Sequence, residues 1–163
     1  PPVDLYREYL EVSDDDLIQI GVNFPLLIVK PDGTEVLRSF LAVDFATGAL
    51  TFAGTVPQGA KVRFSSSFGY ETIEKAIRDI REFRNTSPKA DLAIVFSCIA
   101  RHRAAGVMVN DELDTIRALW NVPVFGFFTY GEIGHNRNGN CDFYNESLSI
   151  ALLSEQSGDH EKH

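Results

Sequence analysis

Two short stretches of the chain concentrate side chains that can do chemistry. Residues 96–103 read FSCIARHR and supply a thiol, two guanidinium groups and an imidazole. Residues 129–135 read TYGEIGH and supply a phenol, a carboxylate between two glycines and a second imidazole. Each stretch follows an apolar run, and loops at the ends of buried strands are common places for small-molecule sites. The two stretches are therefore predicted to form the functional centre.

Arg101 and Glu132 suggest which ligand such a centre would bind. If the two apolar runs form neighbouring parallel strands, their ends lie on the same edge of the sheet. A guanidinium can hold a carboxylate with two hydrogen bonds, and a carboxylate can hold a protonated amine. The pair would suit a zwitterion such as a free amino acid. The alternative is that the two side chains hold each other in an ion pair.

Tyr130, Gly131 and Asn145 complete the candidate set. Tyr130 ends the second apolar run, where its hydroxyl could reach a ligand, and Gly131 permits close approach of a ligand to the backbone or serves as a turn residue. Asn145, next to Glu146, begins the last predicted strand and could line the pocket or cap the sheet edge. The predicted ligand-binding residues are Cys98, Arg101, Tyr130, Gly131, Glu132 and Asn145.

Cys98 raises the alternative of a thiol-dependent enzyme. The positive charges that follow it would lower the pKa of its thiol, and His102 or His135 could act as the base. A cysteine at a strand end is more often a small buried apolar residue. The four histidines and two cysteines have no zinc-ligand spacing, so we predict neither a metal nor a catalytic residue.

Composition narrows the functional class. The 163 residues suit one domain, and 44% of them are hydrophobic. A formal net charge of −8 argues against nucleic acid as a partner, because phosphate contacts need clustered Lys and Arg. There is no apolar run of about 20 residues and no secretory signal, which predicts a cytoplasmic protein without a membrane span.

The first half of the chain predicts a short helix followed by strands. Apolar residues between positions 3 and 12 recur at helical spacing, and Ser13 to Asp16 has the composition of a turn or helix cap. Four segments rich in strand-forming residues follow, separated by turns that contain Pro, Gly and Asp. We predict an antiparallel meander of about four strands, over residues 26–29, 36–44, 50–53 and 61–64.

The second half predicts two main helices alternating with buried strands. One helix, capped by Ser67, has an apolar stripe from Ile73 to Phe83, and the other, capped by Asn110, has a stripe that ends at Trp120. The strands are residues 92–96, 124–130 and 143–153, and a Gly- and Asn-rich loop precedes the last. The first two strands are predicted to be buried on both faces.

The expected fold class is α+β. It has a mixed, largely antiparallel sheet with the N-terminal strand meander, two main helices and a short N-terminal helix. One domain is predicted over residues 1–153, and the polar tail at residues 154–163 is expected to be frayed.

Three segments, in order, resemble the C-terminal part of the FIST sensory domain, a module of prokaryotic signal-transduction proteins with relatives among eukaryotic F-box proteins. They are FSCIAR at residues 96–101, VPVFGFFTYGEIG at 122–134 and FYNESLSIALL at 143–153. The resemblance implies a non-catalytic, ligand-sensing role, with amino acids or their derivatives as ligands. It also implies partners, namely the N-terminal FIST half or other signalling domains of a longer chain. No cofactor is predicted, although some relatives suggest an alternative, a haem and nitric-oxide sensor that would use one histidine.

Overall fold

Within its described residues, the first half of the chain contains two α-helices and five strands. The computed structural model describes residues 1–20, 23–66, 69–135, 139 and 141–155. The elements of the first half are α1 (Pro2–Leu10), α2 (Asp14–Ile20), β1 (Leu26–Val29), β2 (Glu35–Arg38), β3 (Phe40–Asp44), β4 (Ala49–Phe52) and β5 (Lys61–Phe64). The N-terminal helix and the Ser13 cap are confirmed, because the Asp16 N–H donates a hydrogen bond of 3.3 Å to the Ser13 hydroxyl.

The strands of this half pair differently from a simple meander. One sheet has the order β2-β1-β5, and β3 and β4 form a separate hairpin. β5 returns to pair antiparallel with β1 instead of following β4. The predicted strand at residues 36–44 is also divided in two, because the N–H and hydroxyl of Ser39 donate to the side chains of Asn145 and Glu146.

An apolar core joins α1 and α2 to these strands. Val3 and Tyr6 of α1, Leu17 of α2 and Phe40 of β3 are buried together. The ring of Tyr6 meets the ring of Phe64 edge to face, with 4.7 Å between centroids. Edge-to-face contacts add to the gain from burial, so α1 is held by packing as well as by its helical pattern.

The second half contains the longer helices and a second three-stranded sheet. Its elements are α3 (Tyr70–Thr86), β6 (Leu92–Cys98), α4 (Ile99–Ala105), a 3-10 turn (Gly106–Met108), α5 (Val109–Trp120), β7 (Val124–Thr129), β8 (Glu132–His135), β9 (Cys141–Tyr144) and β10 (Leu148–Leu153). The sheet has the order β10-β6-β7, with β6 and β7 parallel and β10 antiparallel to β6. The α+β class with two main helices, α3 and α5, is confirmed.

Helices cover one face of this sheet. Ala93 and Val95 of β6 pack against Ile80 of α3 and against Ile116 and Trp120 of α5. β6 is central, as predicted, but the prediction that β7 is buried is wrong. Phe125, Phe127 and Phe128 are exposed, since β7 is an edge of the sheet in the part of the chain that the structure describes.

Several predicted boundaries also change. Asn110 lies within α5 and does not cap it, because a 3-10 turn leads directly into the helix. The last predicted strand is divided into β9 and β10, and β8 pairs with β9 as a hairpin. The predicted Ser67 cap and most of residues 135–140 and of the tail lie outside the described residues. Among those described, no helix is both long enough and apolar enough to cross a membrane.

Candidate functional site

The ends of β6 and β7 meet, as the sequence predicts. Cys98, the last residue of β6, lies beside Thr129, the last residue of β7, in a parallel register. The chain then turns directly into α4 after Cys98 and into β8 after Gly131. Arg101 in the first turn of α4 and Glu132 at the start of β8 therefore lie at the same edge of the sheet.

Arg101 is buried and forms its ion pair with Glu112, not with Glu132. Its Nη2 donates to the Glu112 carboxylate, which has 0% exposure, and its Nη1 donates to the Glu146 carbonyl oxygen at 3.1 Å. Glu112 was missed in the sequence. The signal was available, since Glu112 lies four and eight residues before Ile116 and Trp120 on the inward face of α5. Burial raises the pKa of Glu112, although the Arg101 charge opposes the rise.

Glu132 is buried between two hydroxyl groups. Thr129 donates to one of its carboxylate oxygens and Ser147 donates to the other. Burial raises the pKa of Glu132, while these hydrogen bonds and the charge of Arg101 act in the opposite direction. Arg101 therefore influences both Glu112 and Glu132, which places all three charges in one polar cluster.

Glu146 is the third carboxylate of this cluster. Its Oε1 accepts a hydrogen bond of 3.0 Å from the Ser39 hydroxyl, and its backbone has a left-handed φ of 56°. Its Oε2 is buried and has no hydrogen-bond partner among the described residues, and the same holds for Oε2 of Glu112. Burial raises the pKa of Glu146 to about 7, although the Ser39 hydrogen bond and the Arg101 charge lower it.

Asn145 and Gly131 pack closely together beside the polar cluster. The Asn145 side-chain oxygen accepts a hydrogen bond of 3.2 Å from the Ser39 N–H. Gly131 has a φ of +137°, and a Cβ at this position would lie 2.3 Å from the ring of Phe143 and 2.9 Å from the Asn145 amide nitrogen. Gly131 is therefore required by both its backbone conformation and its close packing.

The environments of two predicted site residues, Tyr130 and Cys98, differ from those that the sequence predicts. Tyr130 is 76% exposed, so its side chain lies outside the buried cluster. Cys98 is buried within it, and burial raises the pKa of its thiol, with a further rise from Glu132 and Glu146. Only backbone N–H groups, those of Ala100 and Glu146, oppose this rise. The suggestion that nearby positive charge lowers the pKa of Cys98 is therefore wrong.

Both candidate histidine bases for this thiol are exposed, whereas the thiol is buried. His102 is exposed and its ring lies 4.9 Å from the ring of Phe128, while His135 is exposed at the end of β8. No group of three or more His, Cys, Asp and Glu is placed to hold a metal ion in the described ranges. His160 and His163 lie outside those ranges.

A groove leads from the surface to Arg101. Its volume is about 850 Å³, and it runs between α3, β10 and β8. Asp79 and Glu82 of α3 line one side, and Gly134 and Ser149 lie on the other. Arg101 belongs to both the groove and the buried cluster, whereas Glu112, Glu132 and Glu146 are not part of the groove lining.

Glu146 should make the stability of the domain depend on pH. Its pKa is raised in the folded state, so the folded protein binds more protons than the unfolded one between about pH 4.5 and 7. We expect the free energy of unfolding to fall by on the order of 2 kcal/mol as pH rises through this window. Urea unfolding from pH 5 to 8 would measure the change.

Two variants separate Glu146 from the other acids in that measurement. The free energy of unfolding of Glu146→Gln is expected to fall much less over this pH range. Glu74→Gln, at an exposed position on α3, should show the same fall as the wild type. Equal pH profiles for Glu146→Gln and the wild type would show that Glu146 is not the responsible group.

The fold and this arrangement define an α+β domain with a buried polar cluster beside an open groove. The FIST C domain family matches residues 2–135. The chain belongs to this family, a family of sensory-type domains in signalling proteins. No solved structure matches the chain.

Curated relatives extend the comparison. The chain is 29% identical over 169 residues to the uncharacterized protein Mb0898c of Mycobacterium bovis and 26% identical over 168 residues to the uncharacterized protein MT0656 of Mycobacterium tuberculosis. Each match covers 94% of this chain and 42% of the relative. F-box only protein 22 of Pongo abelii is 35% identical over 94 residues, which is 54% of this chain and 22% of that protein. The chain thus spans less than half the length of the relatives it matches.

Proposed function

We propose that this chain is the ligand-sensing, non-catalytic domain of a signalling protein and that it binds an amino acid or a related small molecule at the ends of β6 and β7. The observation that carries the proposal is the pair of buried carboxylate oxygens, Oε2 of Glu112 and Oε2 of Glu146, that have no hydrogen-bond partner among the described residues. Buried polar atoms are almost always satisfied, and an exception suggests a missing water, ion or ligand.

The balance of charge in the cluster supports an ammonium group as part of the ligand. Glu112, Glu132 and Glu146 are buried, and the charge of the buried Arg101 guanidinium acts on all three. Burial raises the pKa of all three carboxyl groups more than the Arg101 charge lowers it, which is consistent with a need for further positive charge. A bound amine would supply both positive charge and hydrogen-bond donors.

The environment of the Cys98 thiol favours a binding role over catalysis. The thiol of Cys98 is buried with a raised pKa, whereas a cysteine nucleophile needs a lowered pKa or an adjacent base. The exposed positions of His102 and His135 give no support to a base for this thiol. Among the described residues, the candidate site therefore has polar atoms available for binding, and its Cys98 thiol is not activated.

The longer relatives suggest where the signal goes. We infer that the N-terminal FIST half or another signalling domain is the partner, since the match covers 42% of the mycobacterial relatives. Within the domain, Ser39 is a suitable transmitter, because it joins the N-terminal strands to Asn145 and Glu146.

Thermal unfolding in the presence of each of the amino acids tests the proposed function. A ligand at ten times its Kd should add about 1.4 kcal/mol, which corresponds to roughly 3–6 °C in Tm for a chain of this size. Glu132→Gln, which keeps the shape and removes the charge, should abolish the shift. Glu74→Gln should preserve it. The proposal fails if none of the amino acids or their derivatives raises Tm, or if Glu132→Gln responds like the wild type.

A further inference from the structure

We propose that the carboxylate of Glu146 receives a protonated amine and that the site selects amines without a free carboxylate over the parent amino acids. This inference rests on the proposed function and specifies its ligand class. The geometry that carries it is a fixed, buried carboxylate with one satisfied oxygen and one oxygen without a partner.

Glu146 is held in place from two sides. Ser39 donates to Oε1 at 3.0 Å, and the Glu146 carbonyl oxygen accepts a hydrogen bond of 3.1 Å from Arg101. Oε2 has no partner within the described part of the chain, and the residue is only 5% exposed. The lone pairs of this fixed oxygen are therefore preorganised to accept a hydrogen bond, and an ammonium group offers three donors.

The groups that face Glu146 leave its charge largely uncompensated. Tyr6 of α1 and Cys98 of β6 both have raised pKa values, chiefly from burial and in part from the charge of Glu146 itself. Both side chains are therefore neutral at neutral pH. Arg101 is the cation that acts on Glu146, and Arg101 also neutralises Glu112 through their ion pair.

The same cluster would bind a ligand carboxylate weakly. Two N–H groups of the Arg101 guanidinium donate to Glu112 and to the carbonyl oxygen of Glu146, and its single positive charge already acts on Glu112, Glu132 and Glu146. A second anion would also lie close to Glu132, whose two oxygens are held by Thr129 and Ser147. Like charges in a buried site repel strongly, so a free amino acid gains from its ammonium group and loses from its carboxylate.

Binding of the amine should also depend on pH, because an ammonium group needs the ionised form of Glu146. Burial raises the pKa of Glu146 to about 7. Affinity for an amine that stays protonated should therefore rise between pH 6 and pH 8.

Calorimetric titration with matched pairs of small molecules tests the inference. The pairs are glycine with ethanolamine, leucine with leucinol, and phenylalanine with phenylalaninol, and N-acetyl-leucine serves as a probe without an ammonium group. We expect at least one amino alcohol to bind ten times or more tightly than its parent acid, and N-acetyl-leucine not to bind. Affinity for that alcohol should rise several-fold from pH 6 to pH 8.

Variants show whether Glu146 is responsible. Glu146→Gln should weaken binding of the alcohol at least tenfold and remove its pH dependence. Ser39→Ala, which keeps the charge but frees the carboxylate, should weaken binding less and keep the pH dependence, and it provides a second test if Glu146→Gln folds poorly.

The possible results separate this inference from the proposed function. If the acids bind and the alcohols do not, the amine selectivity is wrong while ligand sensing stands. Unchanged affinity in Glu146→Gln would overturn the role of Glu146 alone. If no acid or alcohol binds, both proposals are overturned.

Discussion

Replacing Arg101 with alanine is expected to lower the free energy of unfolding by about 3–5 kcal/mol, because it leaves the fully buried carboxylate of Glu112 without its counter-charge. The loss also removes the hydrogen bond from Arg101 to the Glu146 carbonyl oxygen, which ties α4 to the segment before β10. Single domains are stable by about 5–15 kcal/mol, so this change would take a large share of the total. Chemical denaturation followed by circular dichroism would measure it.

Two controls show whether burial of the charge is the reason. Arg117→Ala breaks an exposed ion pair with Asp114 and should cost at most about 1 kcal/mol. The double replacement Arg101→Met with Glu112→Leu removes both charges and should recover much of the stability lost in Arg101→Ala. A loss in Arg101→Ala no greater than that in Arg117→Ala would contradict the assigned ion pair.

Gly126→Ala is expected to destabilise the domain by about 2–3 kcal/mol. Gly126 is in β7, opposite Val95 of β6, and a Cβ there would lie 2.1 Å from the Val95 carbonyl oxygen. That oxygen belongs to the backbone of the central strand, so relief requires the two strands to separate. The strands carry Cys98 and Thr129 at their ends, and their separation should therefore disturb the candidate site as well.

Gly134→Ala is the matched control. Its added Cβ would meet the Ser149 hydroxyl at 3.5 Å, an ordinary contact, and Gly134 has no left-handed backbone. The control should be within about 0.5 kcal/mol of the wild type. Chemical denaturation of both variants measures the difference in their free energies of unfolding. Equal stabilities would show that the close approach of β6 and β7 tolerates a methyl group.

The sequence predicted those features that depend on local periodicity. The predicted apolar stripe of α3 and the predicted strands at residues 26–29 and 61–64 are confirmed. These predictions depend only on the spacing of apolar side chains and on turn residues, which are features of the local sequence. The meeting of Cys98 and Thr129 followed from one further rule, that a strand–helix–strand connection makes neighbours parallel.

Features that depend on distant partners were not predictable in this way. The division of β2 from β3 at Ser39 is caused by Asn145 and Glu146, more than a hundred residues away in sequence. The helical spacing places Glu112 on the inward face of α5, but its ion pair with Arg101 depends on the packing of a different helix, which that spacing does not determine. The exposure of β7 likewise depends on which strands are its neighbours, which its apolar composition does not determine.

The connections of Ser39 also fix the order in which the domain can be completed. Four hydrogen bonds between the two parts of the chain, from Lys30, Arg38 and Ser39 to residues 142–146, span 105–112 residues of sequence. A growing polypeptide is made from its N-terminus, so the first strands emerge long before these acceptors have been synthesised. These contacts therefore form only after about a hundred further residues have been synthesised, and a nascent chain that stops short of residue 145 carries the first strands without the side chains that Ser39 contacts.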